Sequence, residues 1–355
     1  MAGTTEGRRA LVTGISGQDG SFLAELLLER GYQVTGVIRP AAGDRLGASE
    51  HLRGRIELVQ GDLLDPLGLA AAVASIRPDE LYHLAAPSFI PDSWRDPGRT
   101  LAAIAGSTAA LLEAVRERSQ QTRVFVATSG AIFGAAGESP QGEDTPCRPE
   151  SPYATAKLAA HQLVGQLRAH DGIFACSGIL YNHESERRPE QFVTRKITRA
   201  AAAIKVGLEH ELMLGDMSAI RDWSFAGDIV RAAWLMLQQD RAADYVLASG
   251  VGHTVARFAR VAFEHVGLKA EDYIRADPSL RREIEATPPI GDPSQARERL
   301  GWEPTLSFEQ LVGRMVDADL RSVEADLRGL RLPSRSDARA GALADQPAPR
   351  PDAPG

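Results

Sequence analysis

The sequence predicts an α/β fold, a doubly wound parallel sheet that carries a smaller α/β lobe. Three observations predict it. Short β-branched and aliphatic runs alternate with amphipathic or alanine-rich stretches from Arg9 onward. The first run ends in a glycine turn, Gly14-Ile15-Ser16-Gly17-Gln18-Asp19-Gly20. After the fifth run comes SPYATAK, in which Tyr153 and Lys157 stand one helical turn apart. Repeated strand–helix alternation implies a parallel sheet covered on both faces, with ligands at the carboxyl ends of its strands.

Taken in order, RALVT (Arg9–Thr13) reads as the first strand and Phe22 to Arg30 as an amphipathic helix ended by Gly31. Tyr32 to Ile38 reads as the second strand. Gly14, Gly17 and Gly20 permit a tight turn, close approach of a pyrophosphate, and helix-on-strand packing. The helix that follows offers unpaired amides and the positive end of its dipole to phosphate, so Gln18 and Asp19 belong to the expected cofactor site. Arg39, at the end of the second strand, suits a 2′-phosphate and predicts NADP(H); the alternative is an arginine turned to solvent. Ile56 to Val59 is the third strand, with Asp62 and Leu63 placed to touch an adenine, although Asp62 also suits the cap of the next helix. Leu81 to Ala86 and Val124 to Thr128 are the fourth and fifth strands, and Gly98 to Arg118 is a long helix between them. Pro152 opens the helix of Tyr153 and Lys157. Further helices are expected at Asp228–Gln238, Phe258–Val266 and Glu309–Ser322.

A lysine beside a phenol lowers the tyrosine pKa, so Tyr153 can exchange a proton with a sugar hydroxyl or carbonyl near neutral pH. Ser129, at the tip of the fifth strand, falls in the same crevice. The 355 residues suit one large domain or two intimately packed ones. A net charge of −7 and the absence of a basic block argue against nucleic acid. The two cysteines, Cys147 and Cys176, make neither a disulfide framework nor a metal site. No secretory leader or membrane-spanning run is evident, and the expected location is the cytoplasm.

GISGQDG, TSGAIFG (Thr128–Gly134) and SPYATAK together resemble the extended short-chain dehydrogenase/reductase superfamily, with a Rossmann-type dinucleotide half. The strings LYNHESERR (Leu180–Arg188), FVTRKI (Phe192–Ile197) and RDW (Arg221–Trp223) are similar to those of GDP-mannose 4,6-dehydratase. The resemblance implies a GDP-linked hexose as substrate and a homodimer or pair of dimers. It implies that Tyr153 handles the O4 proton, that Ser129 hydrogen-bonds O4, and that Lys157 binds the nicotinamide ribose and holds the tyrosine pKa down. Asn182, Arg187, Arg195, Lys196 and Arg221 are expected to grip the nucleotide diphosphate, arginine being suited to bidentate phosphate pairing. For Arg187 and Arg188 the alternative is a solvated surface pair or subunit contact, and for Arg221 a salt bridge to Asp222 or Asp228. Residues 1–179 would form mainly the NADP-binding domain and 180–331 mainly the nucleotide-sugar lobe, interleaved with returning segments of the first. Residues 332–355 read as a disordered tail.

The departures bear on the reaction. The glutamate that the family places two residues after the active-site Ser/Thr, to act at C5 and C6, is Ala131 here. Ile104 stands where the family usually carries asparagine, and Pro87 where a polar residue faces the sugar. The run His83–Pro97 and the Ser129-Gly130 pair are similar to GDP-4-dehydro-6-deoxy-mannose reductases. The expected activity is a 4-ketoreductase on a GDP-4-keto-6-deoxy hexose. The alternatives are a 4,6-dehydratase with a relocated base, a 4-epimerase, and a catalytically silent partner that binds nucleotide sugar.

Overall fold

The computed structural model describes residues 6–43, 45–277 and 287–331. The tail expected from residue 332 lies outside the described residues. The strands are β1 (Arg9–Thr13), β2 (Gln33–Ile38), β3 (Glu57–Gln60), β4 (Glu80–His83), β5 (Arg123–Ala127) and β6 (Ala175–Leu180). They continue as β7 (Asn182–Glu184), β8 (Leu212–Leu214), β9 (Ile220–Phe225), β10 (Tyr245–Leu247), β11 (Gly252–Thr254) and β12 (Ile274–Ala276).

Seven of them form one sheet in the order β3-β2-β1-β4-β5-β6-β10, with every pairing parallel. The chain starts in the middle, runs outward to β3, then crosses back to β4. The carboxyl ends of β1 and β4 therefore flank the switch point, where a doubly wound sheet opens a crevice.

Helices cover both faces. On one side α1 (Gln18–Glu29) and α8 (Ala226–Leu237) bury Leu23, Leu27, Ile229 and Leu237 against the sheet. On the other, α2 (Pro66–Ile76), α5 (Ser107–Arg118) and α6 (Pro152–Asp171) bury Leu69, Val73, Leu111, Val115 and Val164. The central strands are thus covered on both sides, β4 and β6 being buried throughout, whereas the edge strand β3 stays largely exposed.

The expected long helix from Gly98 to Arg118 is present, and it carries one irregular turn. A short α4 (Pro97–Leu101) meets α5 through one π turn, Ala102–Gly106. Ser107 Oγ donates to Ala103 O (2.7 Å) and Thr108 Oγ1 to Ile104 O (2.7 Å), so hydroxyls serve carbonyls at the irregular turn.

The smaller lobe has two short sheets, β11-β9-β7 and β12-β8. Around them α7 (Val193–Lys205), α9 (Val255–His265) and α12 (Phe308–Arg331) share a core of Ile197, Ala201, Phe258, Phe263, Leu311 and Met315. The last helix starts one residue before the expected Glu309 and runs beyond the expected Ser322. Between the lobes, Trp302 is fully buried and its indole N–H donates to Asp228 O (2.8 Å), fixing the returning chain on α8. No helix of the described residues is long and apolar enough to cross a membrane.

Gly20 faces the preceding turn so closely that a Cβ would lie 2.2 Å from Gly14 O. Gly20→Ala is expected to destabilise the fold by ~1–3 kcal/mol in thermal or denaturant unfolding. Gly165→Ala in α6, where the nearest atom is 3.8 Å away at the end of Arg168, should be neutral or slightly stabilising.

Candidate active site

The glycine turn sits at the switch point. Gly14 has φ +78°, and a Cβ there would lie 2.9 Å from Ala85 N, just past β4. The turn therefore requires glycine twice over, for its conformation and for the approach of β4. Helix α1 begins at Gln18, four residues before the expected Phe22, because the turn runs straight into the helix. Its N-cap is Gly17, with no side chain accepting from the first turn. The leading amides of Gln18, Asp19 and Gly20 head the helix without a side-chain acceptor, an arrangement suited to a pyrophosphate. Arg39 ends β2 and is exposed. Past β3, Asp62 accepts from Leu64 N (2.9 Å), while the cap of α2 is Asp65, which accepts from Gly68 N (3.0 Å). The capping role considered for Asp62 thus belongs to Asp65.

Ser129 lies two residues past the end of β5, and its Oγ accepts from Ala131 N (3.2 Å). Ser151 caps α6 through Ala154 N (3.1 Å), and Pro152 takes the first helical position. That start fixes Tyr153 and Lys157 on the crevice side, 9% and 5% exposed. Lys157 Nζ lies 5.8 Å from the Tyr153 ring centroid and donates to Ala127 O (2.7 Å) at the end of β5. Burial pushes the Lys157 ammonium down to about 8, opposed by the charge of Asp19.

Burial raises the Tyr153 pKa and the charge of Asp19 adds to the rise, while the neighbouring Ser129 hydroxyl and the charge of Arg188 oppose it. The Lys157 ammonium serves the β5 carbonyl.

A polar chain joins α1 to the segment after β6. His183 Nε2 lies 2.9 Å from Asp19 Oδ2, and His183 Nδ1 lies 2.7 Å from Tyr181 O. Both acceptors lack protons, so both ring nitrogens donate and His183 is an imidazolium. Burial disfavours that charge, but the Asp19 carboxylate outweighs it and the His183 pKa is raised. Asp19 is correspondingly held below the ordinary carboxylate range against its burial, with His183 the main cause. Gln18 donates to His183 O (3.1 Å) and accepts from Ser185 Oγ (2.7 Å).

The cations expected to meet a diphosphate divide into two groups. Arg187 is turned to α1, donating to Ser21 Oγ (2.9 Å) and Glu25 Oε1 (2.6 Å) across the Phe22 ring. Arg195 is held by Asp319 (2.7 Å) and by the Glu186 carbonyl. Asn182 opens β7, Lys196 donates to Met213 O (2.8 Å), and Arg221 donates to Ile220 O (2.6 Å). Asp222 is occupied by Ser249 and Gly250, and Asp228 by Thr305.

Arg188 is the residue that sequence reading undervalued. It is no solvated surface arginine. Its side chain is 14% exposed, stacks over Phe192 at 3.6 Å and places Nε 3.2 Å from Glu184. Its charge bears on Tyr153, Asp19 and His183. The doubled arginine was a visible signal; which member turns inward was not.

Tyr153 also belongs to an apolar cluster. Ile104, Tyr153, Ala156 and Ala160 form a buried cluster, with the partly exposed Ala86 and Ala131 packed on it. The acids nearest Ala131 in sequence are elsewhere: Glu138 and Asp144 are exposed, and Glu143 accepts from Val246 N (2.8 Å). Among the described residues, Asp19 is the carboxylate whose charge reaches Tyr153.

A parallel sheet with a glycine turn at its switch point and a buried Tyr-x-x-x-Lys pair beside it defines the extended short-chain dehydrogenase/reductase class. Solved structures agree on the fold. RMD from Pseudomonas aeruginosa complexed with NADPH is similar with a TM-score of 0.75 at 24% identity, covering 89% of this chain and 99% of that one. A dTDP-glucose 4,6-dehydratase from Bacillus anthracis, in complex with NAD, gives 0.77 at 18% identity, covering 89% and 98%. The description GDP-mannose 4,6 dehydratase belongs to the family model that matches residues 11–315. GDP-mannose 4,6 dehydratase 1 of Arabidopsis thaliana is 46% identical over 323 residues, 88% of this chain and 89% of its own. The GDP-mannose 4,6-dehydratase of Yersinia enterocolitica is 40% identical over 353 residues, 89% and 95%. This chain belongs to the GDP-mannose 4,6-dehydratase family.

Behind Lys157, His83 is buried between Thr13 Oγ1 (2.8 Å) and Ser107 Oγ (3.0 Å). Burial, helped by the charge of Lys157, lowers its pKa from 6.5 to about 3. The unfolded chain therefore binds a proton that the folded chain refuses, and stability falls as pH drops from 6.5 toward 3. His83→Gln should be less stable at neutral pH by ~1–3 kcal/mol. Urea titrations across that window should show a shallower acid loss for the variant than for the parent.

Proposed function

We propose that the protein is an NADP(H)-dependent ketoreductase acting at C4 of a GDP-linked 4-keto-6-deoxy hexose. The observation that supports it is the apolar cluster at Tyr153, where Ala131 and Ile104 pack and, among the described residues, Asp19, itself bound to His183, is the carboxylate that bears on the phenol. Loss of water from a 4-keto sugar needs a group that takes the C5 proton and assists the C6 leaving group. Reduction of the ketone does not.

NADPH, when bound, supplies the hydride that C4 receives. Family membership and the NADPH named for the Pseudomonas neighbour support that cofactor. The residues present fit it. Gly14, Gly17 and Gly20 leave a turn into which no side chain intrudes, and the first amides of α1, at Gln18 and Asp19, would receive the pyrophosphate. Arg39 would meet the 2′-phosphate, Asp62 and Leu63 the adenine, and Lys157 the ribose.

Tyr153 is protonated at neutral pH because burial raises its pKa, which suits a proton donor. Its proton passes to the O4 carbonyl oxygen, and the alcohol forms. Ser129 orients the same oxygen. The tyrosinate left behind is favoured by the neighbouring Ser129 hydroxyl and the Arg188 charge. Asn182, Lys196 and Arg221 are our choices for the diphosphate side. Arg187 and Arg195, paired with Glu25 and Asp319, act as positioning residues for the segment after β6 and for α7. The small residues of the π turn and α6 support a homodimer or pair of dimers through those faces.

A second reading, a 4,6-dehydratase with a relocated base, is favoured by the names of the curated relatives. Two assays separate the readings. Supplied with the 4-keto-6-deoxy sugar, the protein should oxidise NADPH; supplied with GDP-mannose and catalytic NADP+, it should release no 4-keto-6-deoxy product. The reverse result establishes the dehydratase. Tyr153→Phe should cut ketone reduction by ~10²–10⁴-fold while leaving NADPH binding intact. Ala131→Glu should gain measurable dehydration of GDP-mannose if the apolar cluster is what withholds it.

A further inference from the structure

One buried chain of hydrogen bonds runs from the glycine turn to the π turn. Ala85 N, against which Gly14 packs, donates to Thr13 Oγ1 (3.2 Å). Thr13 Oγ1 lies 2.8 Å from His83 Nδ1, and His83 Nε2 lies 3.0 Å from Ser107 Oγ. Ser107 Oγ in turn donates to Ala103 O (2.7 Å), inside the π turn. Thr13, His83 and Ser107 are each 4% exposed or less.

The protons of this chain follow one from another. Ser107 has a single hydroxyl proton, and the Ala103 carbonyl takes it. Its oxygen then accepts from His83, so the imidazole carries its proton on Nε2. Nδ1 is left as the acceptor and receives the Thr13 hydroxyl, whose oxygen receives Ala85 N–H. The pattern needs a neutral ring, and burial imposes the same state. An imidazolium would turn a second donor on Thr13 and displace the proton that Thr13 gives it.

Each end of the chain bears on the site. Thr13 leads directly into Gly14 and the turn that heads α1. Ala103 is followed by Ile104, which is 2% exposed and shares a buried cluster with Tyr153, Ala156 and Ala160.

We infer that His83 is a positioning residue for Tyr153: its Nε2–H holds Ser107, Ser107 holds the carbonyl of the π turn, and the π turn sets Ile104 against the phenol. The same chain fixes that turn to Thr13, so the phenol is placed relative to the glycine turn where the dinucleotide is expected. The inference rests on the proton-transfer role proposed for Tyr153 and is the same for the reductase and the dehydratase reading. His83 acts in it without touching either ligand. A displacement of about 1 Å can cost ~10²-fold in rate, which sets the size of the effect.

The test uses the full chain with NADP(H), in whichever of the two assays above it turns over. His83→Leu and Ser107→Ala break the chain and should lower kcat roughly 10- to 100-fold per NADPH bound, with the affinity for NADPH little changed. His83→Gln keeps an N–H near the place of Nε2 and should retain most of the turnover. Ser107→Ala, the milder change, decides should His83→Leu fold poorly. A merely structural role would lower the number of NADPH sites and leave kcat per site unchanged, and that result overturns the inference. So does an equal loss in the leucine and glutamine variants. A second readout needs no turnover. With tyrosine isotopically labelled at Cζ, and the Tyr153 NMR signal assigned through Tyr153→Phe, Ser107→Ala and His83→Leu should displace that signal while His83→Gln leaves it in place. A signal unmoved in all three overturns the positioning role. If the unaltered protein turns over in neither assay, the redox reading falls, and the Tyr153 signal alone decides the role of His83.

Discussion

A carboxylate at the head of a buried helix cannot be left bare, and the partner chosen for Asp19 organises the molecule. Its imidazolium, His183, comes from beyond β6, on the segment that leads into the smaller lobe. Desolvating a charge costs several kcal/mol unless it is paired and hydrogen-bonded, so separating α1 from that segment would be expensive. Gln18, Ser185 and Arg187 add neutral and charged bonds across the same seam. Helix α1 and the segment after β6 are thereby held in one register beside Tyr153. The same pair keeps the negative charge beside Tyr153 partly neutralised, which limits how far the phenol is pushed from its working range.

Much of this was legible in the sequence because it is local. The glycine turn, the strand runs and the four-residue spacing of Tyr153 and Lys157 are each patterns within a few residues. What failed to show was set by distant partners. Arg195 is claimed by Asp319 and Arg187 by Glu25, and no short pattern announces a pair separated by more than a hundred residues. Lys157 looked like a neighbour for the phenol on helical spacing alone, yet its ammonium finds the Ala127 carbonyl first. The start of α1 was misread because glycines usually mark turns, whereas here they open the helix itself.

Ile104 and Ala131 make sense as a set. Ile104 packs on Tyr153, Ala156 and Ala160, and Ala131 lies against the same apolar cluster. Neighbours in contact couple energetically, and a polar side chain placed at either position alone would be buried against the other.

The π turn carries an unremarked mechanical meaning. It inserts about one residue into an otherwise regular helix, and one residue corresponds to about 100° of rotation. Excising a residue between Ala102 and Gly106 would swivel everything on its amino-terminal side. Leu101, now 46% exposed, would be swung away from the azimuth it occupies. The single irregular turn thus works as a keyway, setting the angle at which the outer rim of the molecule meets whatever lies beside it.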